Sequence, residues 1–215
     1  FSCKVNAKQM TDTITATLKT KSGTWKESYS VQQYANEAKN TDNQKLLSVV
    51  NSMLTYGAYA QQLFNYNIGN LAGGSLGDVS SVTVKDLADY GYQKSGTEKN
   101  LSLYGSSLLL KDKTTIRVYY KLKSGVVSDY EFTVDGQMVT PKKSGDDLYY
   151  IEVKDIAAQD LDKVHTFTGG NIKIDNYSAL SYAKTVLEYE KATIENKNTM
   201  SALYLYWQAA KQYFN

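Results

Sequence analysis

Tyr29-Ser30-Val31-Gln32-Gln33-Tyr34-Ala35 and Tyr177-Ser178-Ala179-Leu180-Ser181-Tyr182-Ala183 both read Y-S-x-x-x-Y-A, 148 positions apart. Such a match within 215 residues predicts an internal duplication, and the flanks extend it. Tyr56, Ala60 and Phe64 face Tyr206, Ala210 and Phe214 at an offset of 150, and the run from Ala7 to Ala16 resembles the run from Ala158 to Thr166. A few insertions separate two copies of one unit.

Periodicity assigns elements to each copy. Leu46, Val50, Met53, Gly57, Ala60 and Phe64 recur at alternating steps of four and three, the apolar stripe of an amphipathic helix. Met200, Leu203, Trp207, Ala210 and Phe214 repeat it. A shorter helix precedes each, opening at Ser30 and Ser178, whose hydroxyls suit the N-cap. Strand-like runs fill 103–110, 115–122, 130–135, 148–153, 164–168 and 171–175, while the first copy shows only 2–5, 14–19 and 24–28. Lys-Ser-Gly occurs at Lys21, Lys94, Lys123 and Lys143, and its glycine supplies the positive φ that tight turns need.

The expected fold is therefore α+β: an antiparallel β-sandwich with two homologous helical pairs, a bilobed arrangement being favoured. Residues 1–72 form a first, incomplete unit and 101–215 a second with its sandwich and helical pair. A linker or bridge over 73–100 carries a short helical candidate at 84–90.

Composition narrows the chemistry. The 24 Lys+Arg against 22 Asp+Glu give a net charge of +2, and 23 of the basic residues are Lys, which argues against a nucleic-acid groove. One Cys excludes an internal disulfide, and Cys3 with one His, His165, excludes multi-ligand Cys/His metal sites. No apolar run approaches the roughly 18 residues of a membrane span. The 19 Tyr, 14 Asn and 11 Gln supply aromatic surface with polar handles.

Catalytic patterns weigh little. Gly73-Gly74-Ser75-Leu76-Gly77 matches G-x-S-x-G but follows a helix, and Ser181-x-x-Lys184 lies in a duplicated helix start. Asp146, Asp147, Asp160 and Asp162 lack a calcium-loop spacing, and no carboxylate pair stands out as a glycosidase couple. The expectation is a protein that is not an enzyme, with no cofactor and no metal.

Ligand candidates are aromatic. Aligned without a gap on Tyr29 and Tyr177, Trp25 faces Lys173 while its neighbours face Ile172 and Ile174, so strand alternation turns Trp25 outward. Trp207 replaces Gly57 on the core stripe, where packing competes with lining a groove. Tyr90 and Tyr92 lie in the bridge outside any core period. Trp25, Tyr90, Tyr92 and Trp207 are the candidate platforms, and Asp89, Gln93, Lys94 and Gln208 are their hydrogen-bonding neighbours.

The motifs Y-S-x-x-x-Y-A, M-L-T-Y-G-A-Y-A-Q-Q-L-F-N-Y-N at 53–67, L-Y-G-S-S-L-L-L-K at 103–111 and V-Y-Y-K-L at 118–122 carry a wider likeness. With them the chain resembles duplicated modules of large surface proteins of gut Clostridia, among them the non-catalytic starch-adherence proteins of ruminococcal amylosomes. The resemblance implies an extracellular, secreted or surface-attached module that binds starch or maltooligosaccharide. Its motifs are structural, so it assigns no binding residue. Trp207 in place of Gly57 and the incomplete first β unit depart from the repeated pattern. The expected function is a non-catalytic carbohydrate-binding module; the alternative is a structural spacer or protein-binding adhesion module. A start at Phe1 rather than Met reads as a monomeric fragment of a larger multi-domain protein, with no nucleic-acid partner and no membrane insertion.

Overall fold

The computed structural model describes residues 3–111 and 113–214. They form an α+β protein of two compact units, one built from residues 1–81 with 193–215 and the other from 82–192. The boundaries differ from those expected: the last helix joins the first unit rather than closing the second.

In the first unit a short 3-10 turn, Ala7–Gln9, leads into the antiparallel hairpin of β1 (Ile14–Thr20) and β2 (Gly23–Tyr29). Residues 3–5, expected as strand, have no regular structure, and Ser2 lies outside the described residues. The helices α1 (Val31–Ala38) and α2 (Gln44–Leu63) follow. Ser30 caps α1 with a reciprocal box, its hydroxyl accepting from the Gln33 amide at 3.0 Å while Gln33 Oε1 accepts from the Ser30 amide at 2.8 Å.

The apolar stripe of α2 packs not on a sheet but on α4 (Ile194–Phe214), the last helix of the chain. The rings of Tyr56 and Tyr206 stack at 5.8 Å. Gly57 faces away from α4 toward the 3-10 turn and the following loop, where a Cβ would lie 2.6 Å from Met10 Sδ, 3.1 Å from Ala72 Cβ and 3.3 Å from the Ala7 carbonyl oxygen. Buried Gln61 accepts from the Ala72 amide at 2.7 Å and donates to the Asn70 carbonyl at 2.9 Å, holding the loop 64–77 against α2. The glycines of the G-x-S-x-G stretch serve that loop, where a Cβ on Gly77 would strike Thr55 Oγ1 at 2.6 Å.

The second unit contains two antiparallel sheets. One has the order β3 (Gln93–Ser95), β11 (Ile172–Tyr177), β10 (His165–Gly169), β6 (Phe132–Val134) and β7 (Gln137–Met138). The other has the order β4 (Leu101–Leu110), β5 (Thr114–Leu122), β9 (Leu148–Ile156) and β8 (Lys142–Lys143). Alternation along β5 buries Ile116, Val118 and Tyr120. The Tyr120 ring meets Phe132 edge-on at 5.3 Å, and a Cβ on Gly169 would come within 2.6 Å of it, so the two inner faces are in contact. Ser106 Oγ and Tyr177 Oη are hydrogen-bonded across them at 2.6 Å. Helix α3 (Ala179–Glu188), capped by Ser178, ends this unit.

The run Ala158 to Phe214 repeats the order of the run Ala7 to Leu63: 3-10 turn, two strands, two helices. The Gln32 amide donates to the Met10 carbonyl at 2.8 Å, and the Leu180 amide donates to the Leu161 carbonyl at 3.1 Å at the matching place. One local difference matters below. Between His165↔Tyr177 and Phe167↔Ile174, β10 advances two residues and β11 three, a bulge with Asn176 at φ +58°. The pairing of β1 with β2 is one-to-one throughout.

Candidate functional site

Trp25 is 52% exposed. Its exposure has a cause other than the parity argument of the sequence. The bulge in β11 reverses alternation relative to β2, so the ungapped alignment misassigns faces. Directly paired residues share a face, and Leu18↔Trp25, Ala16↔Glu27 and Ile14↔Tyr29 therefore lie together on the apolar side of the hairpin. Trp25 is exposed because this face of the two-stranded sheet is left largely uncovered, nearly every residue of β1 and β2 being exposed.

Trp207 is 7% exposed, with its ring 5.4 Å from Tyr204 and Lys211 Nζ 5.2 Å above it. A ring so enclosed offers no open face for stacking, which corrects its placement among the platforms. Gln208 Nε2 donates to Tyr204 Oη at 3.0 Å along the same helix. Trp25, Trp207 and Gln208 belong to the first unit, and Asp89, Tyr90, Tyr92, Gln93 and Lys94 to the second.

In the second unit the structure brings Tyr92, Gln93 and Lys94 together. Tyr92 is half-buried, its ring edge-on to Tyr177 at 4.7 Å, with Lys94 Nζ 5.3 Å over it. Gln93 and Lys94 pair with Asp175 and Ile174 at the sheet edge. Gly96 closes that turn with φ +76°, where a Cβ would overlap the Asn171 carbonyl at 1.7 Å. Asp89 is exposed and Tyr90 half-buried just before this strand, after the 3-10 turn Val84–Leu87.

A richer constellation lies on the outer face of the four-stranded sheet. Register aligns Ser107, Arg117 and Glu152 in one row and Gly105, Tyr119, Tyr150 and Lys142 in the next. The rings of Tyr119 and Tyr150 are 5.6 Å apart at 46°, both half-buried, and the Arg117 guanidinium sits 4.2 Å over Tyr150. Nothing would meet a Cβ on Gly105, so the row is open beside Tyr119. Tyr119 Oη is hydrogen-bonded to Ser107 Oγ at 3.1 Å.

Glu152 anchors this face. Its side chain is 7% exposed and receives Arg117 Nε at 2.8 Å, Lys142 Nζ at 2.6 Å and Lys154 Nζ at 3.0 Å. Burial pushes its carboxyl up, but the hydrogen bonds from Lys142, Arg117 and Lys154 outweigh that and hold it at about 2. A hollow of about 200 Å³ adjoins it, lined by Thr140, Lys142, Tyr150, Glu152 and Lys154 among others. The sequence hides this site: V-Y-Y-K-L alternates as any strand does, and only the pairing of β5 with β9 puts Tyr119 beside Tyr150.

His165, the single histidine, is buried with Nδ1 2.7 Å from Asp135 Oδ2, and Asp135 Oδ1 accepts from the Thr166 amide at 2.8 Å. These bonds fasten the end of β6 to β10. Among the described residues no three His, Cys, Asp or Glu side chains form a metal-sized group, and no helix is long and apolar enough to cross a membrane.

The chain matches no family model, no curated protein and no solved structure.

Proposed function

We propose that the chain is a non-catalytic carbohydrate-binding module of an exported, surface-associated bacterial protein, with starch or another α-glucan as its ligand. The observation that carries this is the Tyr119–Tyr150 row. Sugar rings offer apolar CH faces to aromatic rings and hydroxyls to polar neighbours, and here two half-exposed tyrosines at 5.6 Å are bordered by Arg117, Glu152 and Lys142. Half-exposed Tyr92 beside Lys94 is a second, smaller patch of the same kind in this unit.

The same proposal reads the two sheets of the second unit as a β-sandwich and the two β-α runs as products of duplication. The matched order of elements, the paired caps Ser30 and Ser178, and the equivalent bonds to Met10 and Leu161 support that reading. A second reading, a protein-binding adhesion module, is favoured by one observation: the uncovered apolar face of the β1–β2 hairpin.

Affinity electrophoresis in starch, glucomannan and xyloglucan gels separates the two. The expected result is retardation by starch that Tyr119→Ala and Tyr150→Ala each reduce by tenfold or more in affinity, with melting little changed. Retardation in none of the gels removes the carbohydrate reading and leaves the adhesion reading standing.

A further inference from the structure

Hairpins β1–β2 and β10–β11 occupy the same place in the two β-α runs, yet their surroundings differ. On β10 the edge away from β11 is filled by β6, with Phe167↔Val134, Thr168↔Thr133 and Gly169↔Phe132 in antiparallel register. The apolar residues of β6 point inward, Phe132 being 1% exposed, while Thr133 and Thr168 are hydrogen-bonded at 2.6 Å on the outer side. On β1 the corresponding edge has no strand among the described residues. Every residue of β1 and β2 except Ile14 and Gly23 is exposed, including Leu18 at 62%.

The geometry points to the β1–β2 hairpin as a docking site for an extended strand of a partner polypeptide, added antiparallel along the free edge of β1. A bare edge carries unpaired backbone groups, and addition of a strand is the ordinary way such an edge is satisfied in recognition. The two faces state the chemistry of that strand. The apolar face, Ile14, Ala16, Leu18, Trp25 and Tyr29 with Glu27 among them, calls for apolar side chains at alternate positions. At its base is a hollow of about 430 Å³ whose lining is mostly apolar, Ile14, Ala16, Tyr29 and Val31 among others, with Glu27 and Ser30 also on its wall, which suits an anchoring aromatic or branched side chain. The opposite face carries Thr15, Thr17, Lys19, Thr24, Lys26 and Ser28, two cations and no carboxylate, and calls for acidic or hydroxyl residues between the apolar ones.

The segment that fills the matching edge on β10 has this pattern: Tyr130, Phe132 and Val134 alternate with Glu131 and Thr133. A synthetic peptide of residues 128–136 is therefore the probe. Added to the full chain carrying Trp207→Phe, it changes Trp25 fluorescence saturably, with half-saturation below about 1 mM. Leu18→Lys, at an exposed position that folding does not depend on, raises that concentration about tenfold. Slowed amide exchange of β1 in the unsubstituted chain gives the same answer independently of the Trp207 substitution. Three outcomes overturn the proposal: no saturable change up to 1 mM, an equal response to a scrambled peptide, or sedimentation showing that the chain alone dimerises through a Leu18-dependent contact, which assigns the edge to a second copy.

Discussion

Hairpins β1–β2 and β10–β11 are both followed by a serine-capped helix, and both start beyond a 3-10 turn whose carbonyl bonds that helix. One is nevertheless buried on alternate residues and the other is open along nearly its whole length. What separates them is not strand propensity: β1, Ile-Thr-Ala-Thr-Leu-Lys-Thr, is as rich in β-branched residues as β10. The difference is the sheet laid across β10–β11, from which Tyr120 reaches Gly169 and Ser106 reaches Tyr177, together with β3 and β6 at its edges. Local sequence makes a hairpin; the apolar surface it meets makes a core.

The sharpest way to break this comparison is to truncate matched positions. Phe167, fully buried, packs edge-on to Tyr177 at 6.2 Å. Phe167→Ala is expected to cost about 3–5 kcal/mol, through lost burial and the cavity left behind. Leu18→Ala, on the apolar face of the other hairpin, is expected to cost less than about 0.5 kcal/mol. Equal losses in urea unfolding would mean that the first hairpin is already covered.

The second difference is electrostatic. The outer face of the second unit holds a caged carboxylate, Glu152, depressed to about 2 from an ordinary value of 4.5. A carboxyl whose folded pKa lies below its unfolded one stabilises the protein above the unfolded value and loses that contribution as pH falls through the folded one. Stability should therefore fall between about pH 5 and pH 2. Solvent screening of half-exposed Lys142 and Lys154 trims the loss to about 2 kcal/mol. Glu152→Gln should flatten that part of the profile, and an unchanged slope would separate the cage from stability.

These contrasts also mark what the sequence made legible. The longer strands, both helical pairs and both serine caps follow from periodicity and capping chemistry, which act within a few residues; the short strands β3, β7 and β8 do not, because two or three residues carry no readable alternation. The partner of the last helix does not: its stripe, Met200, Leu203, Trp207 and Ala210, asks for an apolar surface without naming one, and α2 supplies it. Trp25 is exposed, but the strand parity of the ungapped alignment does not explain it: the bulge near Asn176 adds one residue to β11, and one extra residue reverses every face assignment beyond it. Tyr119 and Tyr150 escaped because they are 31 positions apart, and nothing local fixes a register between two strands.

The finest contrast is between two buried hydroxyls, one in each unit. Tyr56 on α2 stacks against Tyr206, and Tyr120 on β5 lies between the two sheets; neither hydroxyl oxygen has a hydrogen-bond partner. Burial pushes both hydroxyls well above the usual tyrosine range, as expected where an ionised oxygen would have neither water nor a donor. An unmet buried hydroxyl costs about 1–3 kcal/mol of desolvation, while the ring around it contributes packing that phenylalanine keeps. Tyr120→Phe and Tyr56→Phe should therefore leave stability unchanged or raise it by up to about 1 kcal/mol, read as an upward shift in the urea midpoint at constant slope. The opposite sign at Tyr120 alone, a loss above about 1 kcal/mol, would reveal a water or polar partner between the sheets that the packing of Gly169 and Phe132 around the ring does not show. A loss at Tyr56 would say the same of the seam between α2 and α4.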